Sequence, residues 1–269
     1  DYSPETSQSD IYLNSVYLDP SGVNLNVGLR YNNHSTYNSH WIYSINPSYS
    51  FDLNEDYQMK ILTSYSKAFL APGLYQLYDP TYGNTDLKPE NNLSFEFGTE
   101  IRSNENKLSA VYFNRKENPT LIFDFTKGQY GMYGNSDKEI IYRGLEFAYD
   151  FHLFETVETR LNYIFTEATG GDLRGISKHT ITGVMDFPLL EQTYLNLVGQ
   201  YYGERLGNDS TTLLEAYSLF TLQLNHRLKK LNANLFLSIF NIFDTEYVII
   251  PQYASRGRNI LTGISIQLD

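Results

Sequence analysis

The sequence predicts an all-β protein, a transmembrane antiparallel β-barrel. Three observations carry that prediction. Apolar and polar residues alternate with period 2 over long stretches, short and long connectors alternate along the chain, and no apolar run reaches the roughly 18 residues of a membrane-spanning helix.

The composition narrows the field. The chain has 269 residues, 20 basic against 31 acidic side chains and a formal net charge of −11. That acidic balance argues against a nucleic-acid partner, which needs a basic patch. With no cysteine, a disulfide scaffold and a thiolate metal centre are both excluded. The first residues, "DYSPETSQSD", lack the basic and apolar regions of a signal peptide.

The alternation is clearest in four stretches. In "VNLNVGLRYN", Val23, Leu25, Val27, Leu29 and Tyr31 fall on one side of a strand, and Asn24, Asn26, Gly28, Arg30 and Asn32 on the other. "LSFEFGTEIR" sets Leu93, Phe95, Phe97 and Ile101 against Ser94, Glu96, Glu100 and Arg102. "LNANLFLSIFN" and "NILTGISIQL" repeat the split near the end of the chain. No helical spacing persists over comparable lengths.

In chain order, short turns fall at 19–22, 53–56, 103–106, 152–156, 189–192 and 228–231. Longer Tyr- and Gly-rich connectors fall at 32–40, 66–92, 125–139, 167–177, 203–215 and 249–258. Short periplasmic turns at one rim and long extracellular loops at the other give this alternation, and a sandwich or propeller has no reason to keep it. Tyr and Phe gather at strand ends, as in "LNYIF" and "VGQYYG", where a barrel carries its interfacial girdles. The connectors divide the chain into about 13 strands, an odd number that cannot close with antiparallel neighbours at the seam. Counting back from a last strand that ends in the periplasm, the first residues land in an extracellular loop. The expectation is therefore the C-terminal part of a larger barrel.

The segment "SYSKAFLAPGLYQLYDPTYGNTDLKPENNLSFEFGTEIR" resembles a stretch of TonB-dependent outer-membrane receptors, an aromatic strand end, a "kAp.l.qLy....Gn..LkPE" loop and a following strand. The matching residues are Lys67, Ala68, Pro72, Leu77, Tyr78, Gly83, Asn84, Leu87, Lys88, Pro89, Glu90, Glu96, Gly98 and Glu100. "YRGLEFAYDF" and "ISKHTITGVMDF" are similar to later strands of the family, with Ser177 where proline is usual. The closing stretch resembles "v.NlfD..Y" and "pGR" through Asn241, Phe243, Asp244, Tyr247, Gly257 and Arg258, although the chain ends "IQLD" where the family ends in Phe.

The resemblance covers essentially the whole chain. It implies about 13 C-terminal strands of a barrel of about 22, with the plug domain, the TonB box and the N-terminal strands absent. It also implies active import of a scarce nutrient chelate of the siderophore, haem or cobalamin class, powered by TonB acting on the plug, with no catalysis and no cofactor. The implied partners are the plug and remaining strands, the TonB complex, outer-membrane lipid or lipopolysaccharide, and the ligand. Moderately short loops lean toward the smaller receptors rather than the glycan importers.

Roles follow as expectations. Arg30, Glu96, Glu100 and Arg102 line the lumen and face the plug, because Arg or Lys on the lipid face costs about 2–4 kcal/mol at the midplane. The loop residues Tyr75, Tyr78, Tyr82, Tyr253 and Arg256 are candidates for ligand contact, against the alternative that they pack loops together or sit in a girdle. Lys88, Pro89 and Glu90 fix the loop-to-strand turn. His34, His40, His152, His179 and His226 are scattered and outline neither a catalytic group nor a metal site. Asp79, Asp86, Asp172 and Asp209 lack the dense spacing of a calcium loop. A passive porin, an outer-membrane binding barrel or enzyme, and a soluble β-sandwich lectin share parts of the pattern but not the family motifs.

Overall fold

A computed structural model describes residues 4–154, 156–171, 173–207 and 211–266. Asp172, Asp209 and the terminal "QLD" lie outside the described residues. Thirteen strands form one antiparallel sheet, each paired with its neighbour in the chain order of the sheet. The first six are β1 (Gln8–Leu18), β2 (Val23–His34), β3 (Asn38–Asp52), β4 (Gln58–Leu70), β5 (Glu90–Arg102) and β6 (Lys107–Glu117). A two-stranded excursion, β7 (Leu121–Asp124) with β8 (Met132–Asn135), precedes β9 (Ile140–Leu153), β10 (Val157–Thr169), β11 (His179–Leu190) and β12 (Thr193–Tyr202). A second small hairpin, β13 (Arg205–Leu206) with β14 (Leu213–Leu214), leads to β15 (Tyr217–Leu228), β16 (Ala233–Phe240) and β17 (Asn259–Ile266).

The turns at the short-connector rim are built from local side-chain chemistry. Asp19 Oδ1 accepts the Ser21 amide at 2.8 Å, and Gly22 takes φ +95° with its Cα against the Ser50 carbonyl, where any Cβ would lie 1.9 Å from that oxygen. At 53–57, Asn54 Oδ1 accepts the amides of Asp56 and Tyr57, both at 2.9 Å. At 103–106, the Ser103 amide donates to the Asn106 carbonyl at 2.8 Å.

At the other rim the structure corrects the sequence reading: the connector expected at 125–139 begins at 118, since β6 ends at Glu117 and residues 121–124 pair off the wall as β7. The stretch 32–40, expected as a long loop, is mostly strand: β2 and β3 stay paired as far as His34 opposite Asn38, so residues 35–37 are the connector. Beyond the hydrocarbon a strand keeps its backbone ladder without an apolar signature, so its polar residues read as loop. The last connector is longer than expected, since β16 ends at Phe240 and β17 begins at Asn259.

The pairing register carries one apolar face across the whole sheet. Leu13, Leu29 and Tyr43 stand opposite one another on β1 to β3, and Tyr65 faces Phe95. Phe97, Tyr112 and Leu145 continue the face over β5, β6 and β9, then Leu197, Leu222 and Ile239 over β12, β15 and β16. These side chains have no core to enter. Phe97 is 47% exposed, Leu161 41% and Ile264 53%, and an apolar surface this large marks contact with lipid or another protein. On β3 the outward residues read Trp41, Tyr43, Ile45, Pro47, Tyr49 and Phe51, aromatic at both ends. From Trp41 to Phe51 the strand advances about 34 Å at about 3.4 Å per residue, and a tilt of about 40° reduces that to about 26 Å, the height of a barrel's apolar band. No helix among the described residues is long and apolar enough to cross a membrane; strands make this face.

Candidate functional site

The long-connector rim is a set of interlocked loops. After β4 the chain turns into a short helix, α1 (Leu74–Tyr78), closed by the Gln76 side chain accepting the Gly73 amide at 2.8 Å. Leu77 and Leu87 are the buried anchors of this loop. Gly83 lies so close to the helix end that a Cβ would sit 2.6 Å from the Asp79 backbone. Asp79 Oδ1 accepts the Thr81 and Tyr82 amides. Asn84 donates to the Tyr133 carbonyl at 3.0 Å, and Asn135 clasps the Lys88 backbone with both ends of its amide, at 2.8 and 2.9 Å. Glu90 accepts the Leu121 amide at 2.6 Å. The "Gn..LkPE" residues thus tie loop 71–89 to the β7–β8 excursion.

An aromatic cluster fills the space between those two segments. Tyr75 meets Tyr133 edge-on at 6.1 Å, Phe123 meets Tyr133 at 5.1 Å and Phe125 at 5.0 Å, and Tyr82 lies 5.8 Å from Phe123. The Arg174 guanidinium covers the Phe125 ring at 5.2 Å and donates to the Phe123 carbonyl at 3.2 Å. Beside this cluster opens a cavity of about 840 Å³, reaching from Phe125 and Lys127 to Pro251 and Gln252 of the last loop. That volume is in the range of small-molecule sites. At its edge, the hydroxyl and amide of Thr126 hold the Asp124 carboxyl below its ordinary value.

The contacts continue around the rim. The Tyr37 hydroxyl donates to the Leu87 carbonyl at 3.0 Å, and burial pushes its phenol up. The Gly175 amide donates to the Leu206 carbonyl at 2.8 Å. Arg205, buried, donates to the Val248 carbonyl and lies over the Tyr217 ring at 5.0 Å. In the last loop, Asn241 binds both backbone groups of Thr245 at 2.9 Å, and Asp244 accepts the Arg258 amide at 2.6 Å. The closing "NIFD" and "GR" residues therefore brace a loop.

The five loop residues singled out from the sequence fall in separate places. Tyr75, half exposed, and Tyr78 and Tyr82 share loop 71–89. Tyr253, 73% exposed, lines a different cavity of about 690 Å³ with Tyr217, Tyr247, Glu215 and Glu246. Arg256 borders a third space with Asn241 and Tyr247. Sequence reasoning missed Phe123, Phe125, Tyr133 and Arg174; the density of rings in "LIFDFTKGQYGMY" was the available signal. Among the described residues no three acidic or histidine side chains group as a metal site.

On the opposite face from the apolar one, Arg30 pairs with Asp10 at 2.7 Å, and Asn32, fully buried, donates to the same carboxylate at 2.7 Å. Glu100 is shared by Arg102 at 3.0 Å and Lys107 at 3.2 Å, and Arg160 meets Asp150 at 2.8 Å. Glu96 lines a hollow of about 340 Å³ with Arg115, Tyr142 and Glu146. All lie on the polar side of the register.

Comparisons with known proteins agree with this geometry. The family described as TonB dependent receptor-like, beta-barrel matches residues 2–242. The vitamin B12 transporter BtuB of Vibrio cholerae is 27% identical over 255 residues, covering 90% of this chain and 40% of the transporter. Two solved structures share the fold: the ferric enterobactin receptor PfeA of Pseudomonas aeruginosa (TM-score 0.74, 20% identity, 96% of this chain and 44% of that one), and the siderophore receptor PirA of Acinetobacter baumannii (TM-score 0.76, 17% identity, 96% and 45%). The chain spans less than half the length of these proteins. With its apolar wall, polar inner face and motif-bearing loops matched over residues 2–242, the chain belongs to the TonB-dependent receptor β-barrel family of the bacterial outer membrane.

Proposed function

We propose that this chain is the C-terminal part of the barrel of a receptor that imports a scarce nutrient chelate, of the siderophore, haem or cobalamin class, by TonB-driven active transport. The observation that carries the reading is the division of the sheet into an apolar outer face and a charged inner face beneath interlocked aromatic loops. In this reading Tyr75, Tyr78, Tyr82, Tyr253 and Arg256 contact ligand from the loops. Arg30, Glu96, Glu100 and Arg102 face the plug in the lumen, and the ion pairs of Arg30, Glu100 and Arg102 open to exchange partners as the plug moves. The remaining strands and plug complete the receptor, and TonB acts through the plug. The chain's role is transport, without catalysis.

Uptake of labelled cobalamin and of labelled ferric chelates by cells carrying the full-length receptor tests the proposal. Import of one of them is expected to stop when TonB is deleted. Import that continues unchanged without TonB would make the barrel a passive pore.

A further inference from the structure

Among the described residues, the outward face of the 13-stranded sheet carries Lys, Arg, Asp or Glu side chains at one level only. Following the register from β1 to β17, the outward positions among the described residues hold no Asp, Glu, Lys or Arg except Lys67 on β4, Lys116 on β6, Arg143 on β9 and Glu167 on β10. All four lie at the loop end, on the loop side of Tyr65, Tyr112 and Tyr163. The chain as a whole is strongly acidic, with a net charge of −11, yet this band holds three cations against one anion. The acids are sorted inward, as with Asp10, Glu96, Glu100 and Asp150.

The three cations are neighbours. Lys67 stands opposite Leu93, and Leu93 opposite Lys116, so the lysine backbones are two strands apart, about 10 Å at about 4.8 Å per strand. Arg143 is diagonal to Lys116, whose direct partner is Ile141, a separation of about 7–8 Å. Lys116 and Arg143 are exposed. Arg143 meets Glu167 through Nε at 3.0 Å, and among the described residues neither lysine makes an ion pair.

We propose that Lys67, Lys116 and Arg143 form a binding site on the barrel's outer wall for the phosphates of a phosphorylated glycolipid in the outer leaflet. Tyr65, the next outward residue below Lys67, and Tyr43, the cross-strand partner of Lys67, bring their rings within 6.0 Å at the base of the band, which suits the boundary between headgroup and acyl chain. Cations just beyond that boundary stand at headgroup depth, where phosphate is the available anion. A guanidinium and two ammonium groups supply several charge-assisted donors to phosphate oxygens. The proposal rests on the outward face meeting lipid.

The test uses the full-length receptor purified in detergent, with bound lipid A counted by native mass spectrometry and folding checked by heat-modifiable gel mobility. Wild-type receptor is expected to retain bis-phosphorylated lipid A and to exchange it for the dephosphorylated form poorly. K67Q/K116Q/R143Q is expected to retain at least tenfold less, K67R/K116R/R143K to retain it, and E167Q to hold it more firmly. K229Q/K230Q, two cations removed at the opposite rim, is expected to behave as wild type. Equal retention by the triple glutamine variant, or equal loss in K229Q/K230Q, would overturn the site while leaving insertion and transport intact. If the triple variant does not fold, unchanged retention in both K116Q and E167Q overturns it. Displacement by millimolar inorganic phosphate as effective as by lipid A would show a free-phosphate site instead and would also overturn it.

Discussion

Asn135 grips Lys88 as a strand would: its Oδ1 accepts the Lys88 amide at 2.8 Å, and its Nδ2 donates to the Lys88 carbonyl at 2.9 Å. Two residues far apart in sequence thereby lock loop 71–89 to the β7–β8 excursion. Replacing Asn135 by Ala removes both bonds, at about 0.5–1.5 kcal/mol each. Amide exchange of residues 82–89 is expected to accelerate by one to two orders of magnitude, with the barrel's own amides unchanged. Hydrogen exchange with mass spectrometry reads the difference.

Outward and inward positions of neighbouring strands are expected to differ sharply in their tolerance of charge. Leu197 faces Met185 and Leu222 on the apolar side, midway along β12. L197R is expected to cost about 2–4 kcal/mol in urea titrations of detergent- or lipid-embedded receptor. T221R, on the polar side opposite Val198, is expected to cost under about 1 kcal/mol.

Gly144 lets β9 approach its neighbour closely, since a Cβ there would fall 1.8 Å from the Phe165 carbonyl and against the Phe113 ring. G144A is expected to destabilise the barrel by about 1–3 kcal/mol through forced displacement of β10 and the ring. G175A, where nothing lies within 4 Å but φ is +74°, is expected to cost about 1 kcal/mol through backbone strain alone. The folded fraction against urea, scored by gel mobility, separates the two.

The Ser21 hydroxyl, the Tyr17 hydroxyl and the Ser21 amide hold the Asp19 carboxyl down to about 2. A depressed carboxyl stabilises the folded turn above the ordinary aspartate value of about 3.9 and loses that contribution as the pH falls through about 2. Amide exchange at Ser21 and Gly22, corrected for intrinsic rate, is expected to stay protected down to pH 3 and to lose protection below it. D19N is expected to flatten that dependence.

Much of the wall was legible in the sequence because its two solvents differ so strongly. The turn at 103–106 and the alternation in 93–102 needed no tertiary information, since hydrocarbon on one side and water on the other write period 2 into the residues themselves. The same signal fails where both sides are wet, and so the strand ends around His34 and Asn38 read as loop. The rim was less legible. Its motif residues were visible, but Leu77, Gly83, Asn84 and Leu87 shape the loop, and their partners lie elsewhere in the sequence. Asn84 binds Tyr133, and Arg174 binds Phe123, across separations of 49 and 51 positions. No local pattern encodes such pairings.

From Tyr37 on Leu87, through Asn135 on Lys88, Arg174 on Phe123 and Gly175 on Leu206, to Arg205 on Val248, each connector holds the next. The canopy is therefore a woven lid and not a ring of independent fingers. Displacing one span must therefore stretch the adjoining ones, so the connectors yield together and not one at a time.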